Sequence, residues 1–189
     1  MPTRHPGAKP AAKRMTDSTA AKPAAPSTAK AKVDTAVRHA GKLSLHFPSD
    51  EFLGWHTMDF ATRIHVIRSG VPAQRVGELS SVMGMPKEAL MDSLGLSRAT
   101  IHRKVQRAQA LSPEESERLM GVQALIGQVQ AMIHPALAAD FDAAKWLARW
   151  LAEPLPALGG ETPGSYMDTV EGQKYIGNLL AMAQSGAYA

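Results

Sequence analysis

The sequence predicts an all-α protein, two helical lobes behind a basic tail. Three observations carry that prediction. From Leu43 onward apolar residues recur at helical spacing, interrupted only by short Gly/Pro punctuation. No stretch alternates apolar and polar residues as a half-buried strand would. And Ser112-Pro113-Glu114-Glu115 is a strong helix start, with Ser at the cap, Pro at the first helical position and Glu three residues after the cap.

The elements follow in order. Residues 1–42 are rich in Ala, Lys, Pro, Ser and Thr, and carry nine Lys/Arg against Asp17 and Asp34, a net +7. Such a segment cannot bury enough apolar surface to offset its ordering entropy, so disorder is expected. The composition suits a basic arm drawn to phosphates, a solvated extension, or an organellar transit peptide. Residues 43–189 carry 12 basic and 15 acidic side chains, a net −3. The sequence pI near 9.5 is therefore a property of the tail, and is poor evidence for nucleic-acid binding.

Met58–Ser69 repeats apolar residues at Met58, Ala61, Ile64, Val66 and Ile67, and Gly70 ends it. Pro72 opens a second helix through Val76, Leu79 and Val82, stopped by Gly84. Pro86 opens a third, carrying Leu90, Met91 and Leu94. Gly95 breaks it, and Ser97 caps a fourth running to about Ala108. Residues 43–111 thus form the first lobe. Ser112 starts the second, 112–189, with a long helix to about Ile133 that His134-Pro135 closes. Asp140 caps the next, through Phe141, Leu147, Trp150 and Leu151. Asp168 to Glu171 has capping-box spacing for a last helix, Thr169–Ala183, expected to bury Tyr175, Ile176, Leu179, Leu180 and Met182.

Within the first lobe, Lys87–Arg107 has the spacing of a helix-turn-helix. Leu90 and Leu94 face inward, Gly95 supplies a left-handed turn, Leu96 fills the gap, and Ile101 and Val105 pack from behind. This leaves Arg98, Thr100, His102, Arg103, Lys104 and Arg107 on the outer side or its edges, with Ser97 at the helix N-terminus where a phosphate can also sit. Short polar side chains there suit base edges, and Arg and Lys suit guanine or phosphate. An ordinary helical hairpin with a solvated basic face has the same pattern. In the long helix, Leu119, Val122, Ile126, Val129 and Ile133 form a heptad seam of about two heptads, short of a coiled coil. It reads either as a dimer contact or, preferably, as a core helix bridging the lobes.

Enzyme chemistry finds no foothold. The chain has no Cys. Gly164-Ser165-Tyr166 lacks the second Gly of a nucleophile elbow, and no phosphate loop with Lys-Ser/Thr occurs. The seven His residues show no metal-ligand spacing. Catalysis, cofactor and metal are not expected. No apolar run approaches membrane-span length, and the N-terminus lacks the apolar stretch of a secretory signal, so a soluble, cytoplasmic protein is expected.

The C-terminal half adds a specific pattern. Trp150-Leu151-Ala-Glu-Pro154, Ala157-Leu158-Gly159-Gly160-x-x-Pro163, Thr169-x-x-Gly172 and Gly186-Ala-Tyr188-Ala189 follow one another. This order and spacing resembles the toxin-binding domain of the Xre/MbcA/ParS antitoxin family, tightly over about 140–189. Residues 58–135 resemble the Xre-like helix-turn-helix more loosely. Leu155 departs from the pattern, since the family usually has Asn there. The resemblance implies a type II antitoxin, whose partner is a RES-type toxin that consumes NAD or transfers from it. The antitoxin would cover the toxin's active site with its C-terminal region and bind operator DNA, as a homodimer or in a larger toxin–antitoxin complex. It points to Gly159, Gly160, Thr169, Gly172, Gly186, Tyr188 and Ala189 as toxin-binding positions. From Ser112 on, nine acids oppose four bases, an acidic lobe suited to a partner with a basic cleft. A helix-turn-helix regulator without a toxin, its second lobe used for dimerisation, is the alternative.

Overall fold

The structure is a computed structural model and describes residues 49–133 and 141–184. The basic tail, His134-Pro135, Asp140 and Gly186–Ala189 lie outside the described residues. Within them the chain forms eight α-helices and two short 3-10 helices, with no strand beyond an isolated bridge between Pro72 and Ala110.

The first helix, α1 (Ser49–Thr57), precedes the segment where the apolar repeat becomes clear. It buries Phe52 and Trp55 against the long helix α6 (Pro113–Met132). The crossing is close because residue 127 is Gly: a Cβ there would stand 2.0 Å from the Phe52 carbonyl oxygen. The buried Arg75 guanidinium ties α1 down from another side, pairing with Glu51 as well as with Glu78 at 3.1 Å.

Helix α2 (Phe60–Ser69) starts two residues later than its apolar repeat suggests. The Asp59 carboxylate caps it, accepting the Thr62 N–H at 3.0 Å and the Thr62 hydroxyl at 2.7 Å. These bonds hold the Asp59 carboxyl below its ordinary range. The inward stripe is Thr62–Val66, and Ile64 points outward. Helix α3 (Arg75–Met83) likewise begins three residues after Pro72, because Pro72 is engaged in the bridge to Ala110. Helices α4 (Lys87–Ser93) and α5 (Arg98–Gln106) follow as expected, except that α5 ends two residues short of Ala108. Ala108 takes a positive φ of 50°, which turns the chain so that the Gln109 carbonyl accepts from Ala73 and the Leu111 N–H reaches the Val71 carbonyl.

The capping box at the start of α6 is complete. The Ser112 hydroxyl accepts the Glu115 N–H at 3.2 Å, and the Glu115 carboxylate accepts the Ser112 N–H at 2.7 Å. Of the seam residues, Leu119, Val122, Ile126 and Val129 are buried within this one chain, and Ile133, just past the helix end, is half-buried. The four buried ones belong to a single hydrophobic core that also takes Leu79, Leu90 and Ile101 from before Leu111 and Leu147, Ile176 and Leu180 from after it. α6 is thus a bridging core helix, and its seam keeps no free face for a coiled coil.

Helix α7 (Ala143–Leu151) is capped by Asp142, whose carboxylate accepts the Lys145 N–H at 3.0 Å; Phe141 precedes the helix. Two 3-10 helices, Pro156–Leu158 and Pro163–Tyr166, lead to α8 (Val170–Gln184). The hydroxyl that caps α8 is Thr169, which accepts the Gly172 N–H at 3.1 Å. The expected Asp168–Glu171 box does not form, because Glu171 pairs on the surface with Lys174 at 2.7 Å. Ile176, Leu179 and Leu180 are buried as expected, whereas Tyr175 and Met182 stay exposed: a helix on a core's edge buries one stripe only. Among the described residues no helix is long and apolar enough to cross a membrane.

Candidate functional site

Two surfaces gather the residues singled out in the sequence. The first is the helix-turn-helix. Leu90, Leu94, Leu96 and Ile101 are buried, and Val105 packs against them. Gly95 has φ +58°, and the Leu96 N–H returns to the Met91 carbonyl at 2.8 Å, so the turn is closed. Arg118 of α6 clamps it from behind, its Nη1 donating to the carbonyls of Leu94 (2.8 Å) and Gly95 (3.2 Å). No periodicity flags Arg118; its role follows from the two carbonyls that the turn leaves unpaired.

The seven DNA-reading candidates divide by what holds them. Ser97 spends its hydroxyl on the helix, accepting the Thr100 N–H. Arg98 meets Asp92 in a forked pair, Nε to Oδ1 at 3.0 Å and Nη2 to Oδ2. That hydrogen bond lowers the Asp92 carboxyl and raises the Arg98 guanidinium, yet both side chains are more than half exposed. Such a pair is weak and opens readily. Lys104 turns inward to the Glu115 carboxylate, the same group that caps α6. Burial raises the Glu115 pKa, but the Lys104 and Ser112 hydrogen bonds outweigh it, and the group sits below its ordinary range. His102, Arg103 and Arg107 are exposed, with no side-chain hydrogen bond or ion pair among the described residues, and Thr100 is half-buried. The outward basic face is therefore narrower than the sequence implies.

The second surface is the C-terminal region. Trp146 and Trp150 stack on α7 at 6.0 Å between ring centroids and 11° between planes, half-buried on the core's edge. The loop after α7 closes on itself through backbone bonds. The Leu155 N–H donates to the Glu161 carbonyl, and the Leu158 and Gly160 N–H groups return to the Leu155 carbonyl, each at 3.0 Å. The turn thus closes without an Asn side chain at 155. Gly159 and Gly160 have φ of +67° and +93°, and a Cβ on either would meet nothing within 4 Å. Their backbone stands in open space. Thr169 and Gly172 are brought together at the α8 cap, and a Cβ on Gly172 would stand 1.9 Å from the Tyr166 carbonyl. Gly186, Tyr188 and Ala189 lie outside the described residues. Gln173, which the sequence reading did not single out, is buried and donates to the carbonyls of Arg118 (3.0 Å) and Met167 (2.8 Å), fixing α8 to α6.

Comparison with known proteins gives this arrangement a place. Residues 62–122 match the antitoxin Xre-like helix-turn-helix domain, and residues 136–186 match the antitoxin Xre/MbcA/ParS C-terminal toxin-binding domain. The chain belongs to the Xre/MbcA/ParS family of antitoxins. A curated relative, the Prs ADP-ribosylating antitoxin of Sphingobium sp. (strain YBL2), is 41% identical over 128 residues, 67% of this chain and 80% of that protein. The first match begins inside α2, so α1 lies outside it. The second match contains α7, the Gly159-Gly160 loop and α8.

Proposed function

We propose that this antitoxin neutralises an ADP-ribosylating toxin of the RES type by laying its C-terminal region over the toxin's NAD-using active site. The observation that carries the reading is the toxin-binding match over α7 and α8, with the Gly159-Gly160 backbone bare at its surface. The name of the Sphingobium relative speaks of ADP-ribosylation, which supports that chemistry for the partner here. The net −5 of residues 112–189 favours a partner with a basic cleft. The same chain, as a dimer in the cytoplasm, binds its operator through α5 and represses its own operon. His102, Arg103 and Arg107 make the contacts, and Arg98 joins them once phosphate displaces Asp92.

The test co-expresses the chain with the product of the neighbouring gene and follows ADP-ribose transfer from labelled NAD. The full chain abolishes transfer, and deletion of Gly186–Ala189 restores it. Unaltered protection and co-purification after that deletion would remove the tail from the mechanism. A full chain that never inhibits transfer would overturn the reading as a whole.

A further inference from the structure

The outward side of α5 is not uniformly basic. Ile101 is fully buried, Val105 packs against the same core, and Lys104 turns inward to Glu115. These three fix which side of the helix faces the protein. At about 100° per residue, Ala99 stands roughly 160° and Gln106 roughly 140° round the helix from Ile101. The two therefore share one line opposite the core, and both are exposed. His102 and Arg98 fall on one side of that line, Arg103 and Arg107 on the other. The middle of the outward face is neutral, and its flanks carry the charge. The Gln106 amide makes no side-chain hydrogen bond among the described residues, so it offers both a donor and an acceptor.

We propose that Ala99 and Gln106 are the base-reading residues of this antitoxin, and that they select two A·T pairs about three base pairs apart. A helix with its side chains is about 10–12 Å across, and the major groove is about 12 Å wide. A helix lying in that groove sets its mid-line over the base edges and its flanks against the two phosphate strands. Arg103 and Arg107 then meet one strand, and His102, joined by Arg98, meets the other; such contacts fix position without reading sequence. On the mid-line, the Gln106 amide matches adenine, its oxygen accepting from the N6 amino group and its nitrogen donating to N7. The Ala99 methyl gives an apolar contact to a thymine methyl. Seven residues at about 1.5 Å each separate the two by about 10 Å, and base pairs rise by about 3.4 Å, which sets the spacing.

This assignment rests on operator binding through α5 and adds which residues discriminate between sequences. Neither residue is basic, so a search for charge passes over both. Their place on the mid-line follows only from the burial of Ile101 and the inward turn of Lys104.

Selection from a randomised duplex pool, with the full chain alone and with the product of the neighbouring gene, is the test. The wild type enriches a site with two A·T pairs at the stated spacing. At one of them, Gln106→Ala lowers the preference for adenine over guanine about tenfold. Its salt slope stays that of the wild type, because the amide carries no charge. At the other, uracil in place of thymine weakens wild-type binding about fourfold, the worth of one buried methyl. Ala99→Gly, with its helical circular-dichroism spectrum unchanged, no longer distinguishes uracil from thymine. A wild type that enriches no sequence, and whose binding is indifferent to Arg103→Gln, defeats operator binding through α5 itself. A wild type that enriches a site and loses salt slope with Arg103→Gln, while Gln106→Ala and Ala99→Gly keep every base preference, retains the operator and overturns this assignment. A preference that moves instead with His102→Ala or Arg103→Gln places the reading on a flank and equally overturns it.

Discussion

Gly121 and Gln173 interlock: a Cβ placed on Gly121 would stand 1.7 Å from the Gln173 side-chain oxygen. The glutamine cannot simply move aside, because its amide nitrogen holds the Arg118 and Met167 carbonyls. Gly121→Ala therefore breaks those bonds in a buried setting, at a cost of about 1–3 kcal/mol. Urea unfolding should show a lower midpoint at unchanged slope. Gln173→Ala removes the clash as well as the bonds, so the double variant should be less destabilised than the sum of the two single changes. Simple additivity would show that the two residues do not interlock in solution.

The pairing of Lys104 with Glu115 predicts a pH dependence. The folded Glu115 carboxyl titrates below its ordinary range, so the unfolded chain takes up its proton first as the pH falls. The stabilisation is complete above the unfolded glutamate value of ~4.3 and is lost below it, as the pH falls through the folded value. Glu115→Gln should lower stability at neutral pH and flatten the acid limb of the stability curve. An acid limb as steep as that of the wild type would assign the effect to other capping carboxylates, such as Asp59 and Asp142.

Different fates of neighbouring bases on α5 should appear in DNA binding. Each phosphate neutralised by a basic side chain steepens the logarithmic salt dependence by about 0.9 for duplex DNA. Arg103→Gln should remove about one such unit. Lys104→Gln should leave the slope unchanged, since that ammonium is committed to Glu115, and instead lower thermal stability by stranding the carboxylate. Asp92→Asn should tighten binding by freeing Arg98. Fluorescence anisotropy with a mixed-sequence duplex across a salt series reads all three, and the basic tail contributes equally to each. Equal slope losses for Arg103→Gln and Lys104→Gln would mean that Lys104 leaves Glu115 on binding.

The helices were legible where punctuation and caps coincide: Gly84, Gly95, Ser97 and Ser112 each end or start an element as their chemistry dictates. α1 was harder to read, because its only buried apolar side chains are Phe52 and Trp55 and its fit depends on a glycine 75 residues away at Gly127. Periodicity placed Ile64, Tyr175 and Met182 inward because it records spacing, not which neighbour is present. The same limit applies to charge. The sequence marks Arg98 and Lys104 as basic, but only the fold brings Asp92 and Glu115 to them. The turn and its core were readable locally, whereas the accessible part of the basic face was not.

Gly159 and Gly160 offer a direct measurement of whether their loop is only a turn. Both need positive φ, and neither has a neighbour within 4 Å of where a Cβ would stand. Alanine at either position thus adds conformational strain without a clash inside the antitoxin, about 1–2 kcal/mol each. If the toxin packs closely on this bare backbone, an added methyl also intrudes on the contact. Gly159→Ala and Gly160→Ala should then weaken toxin binding, measured by calorimetry under conditions where each variant stays folded, by more than tenfold. Stability lost with affinity retained would make the pair a structural turn, and would direct the search for toxin contacts to the stacked Trp146 and Trp150 and to the residues beyond α8.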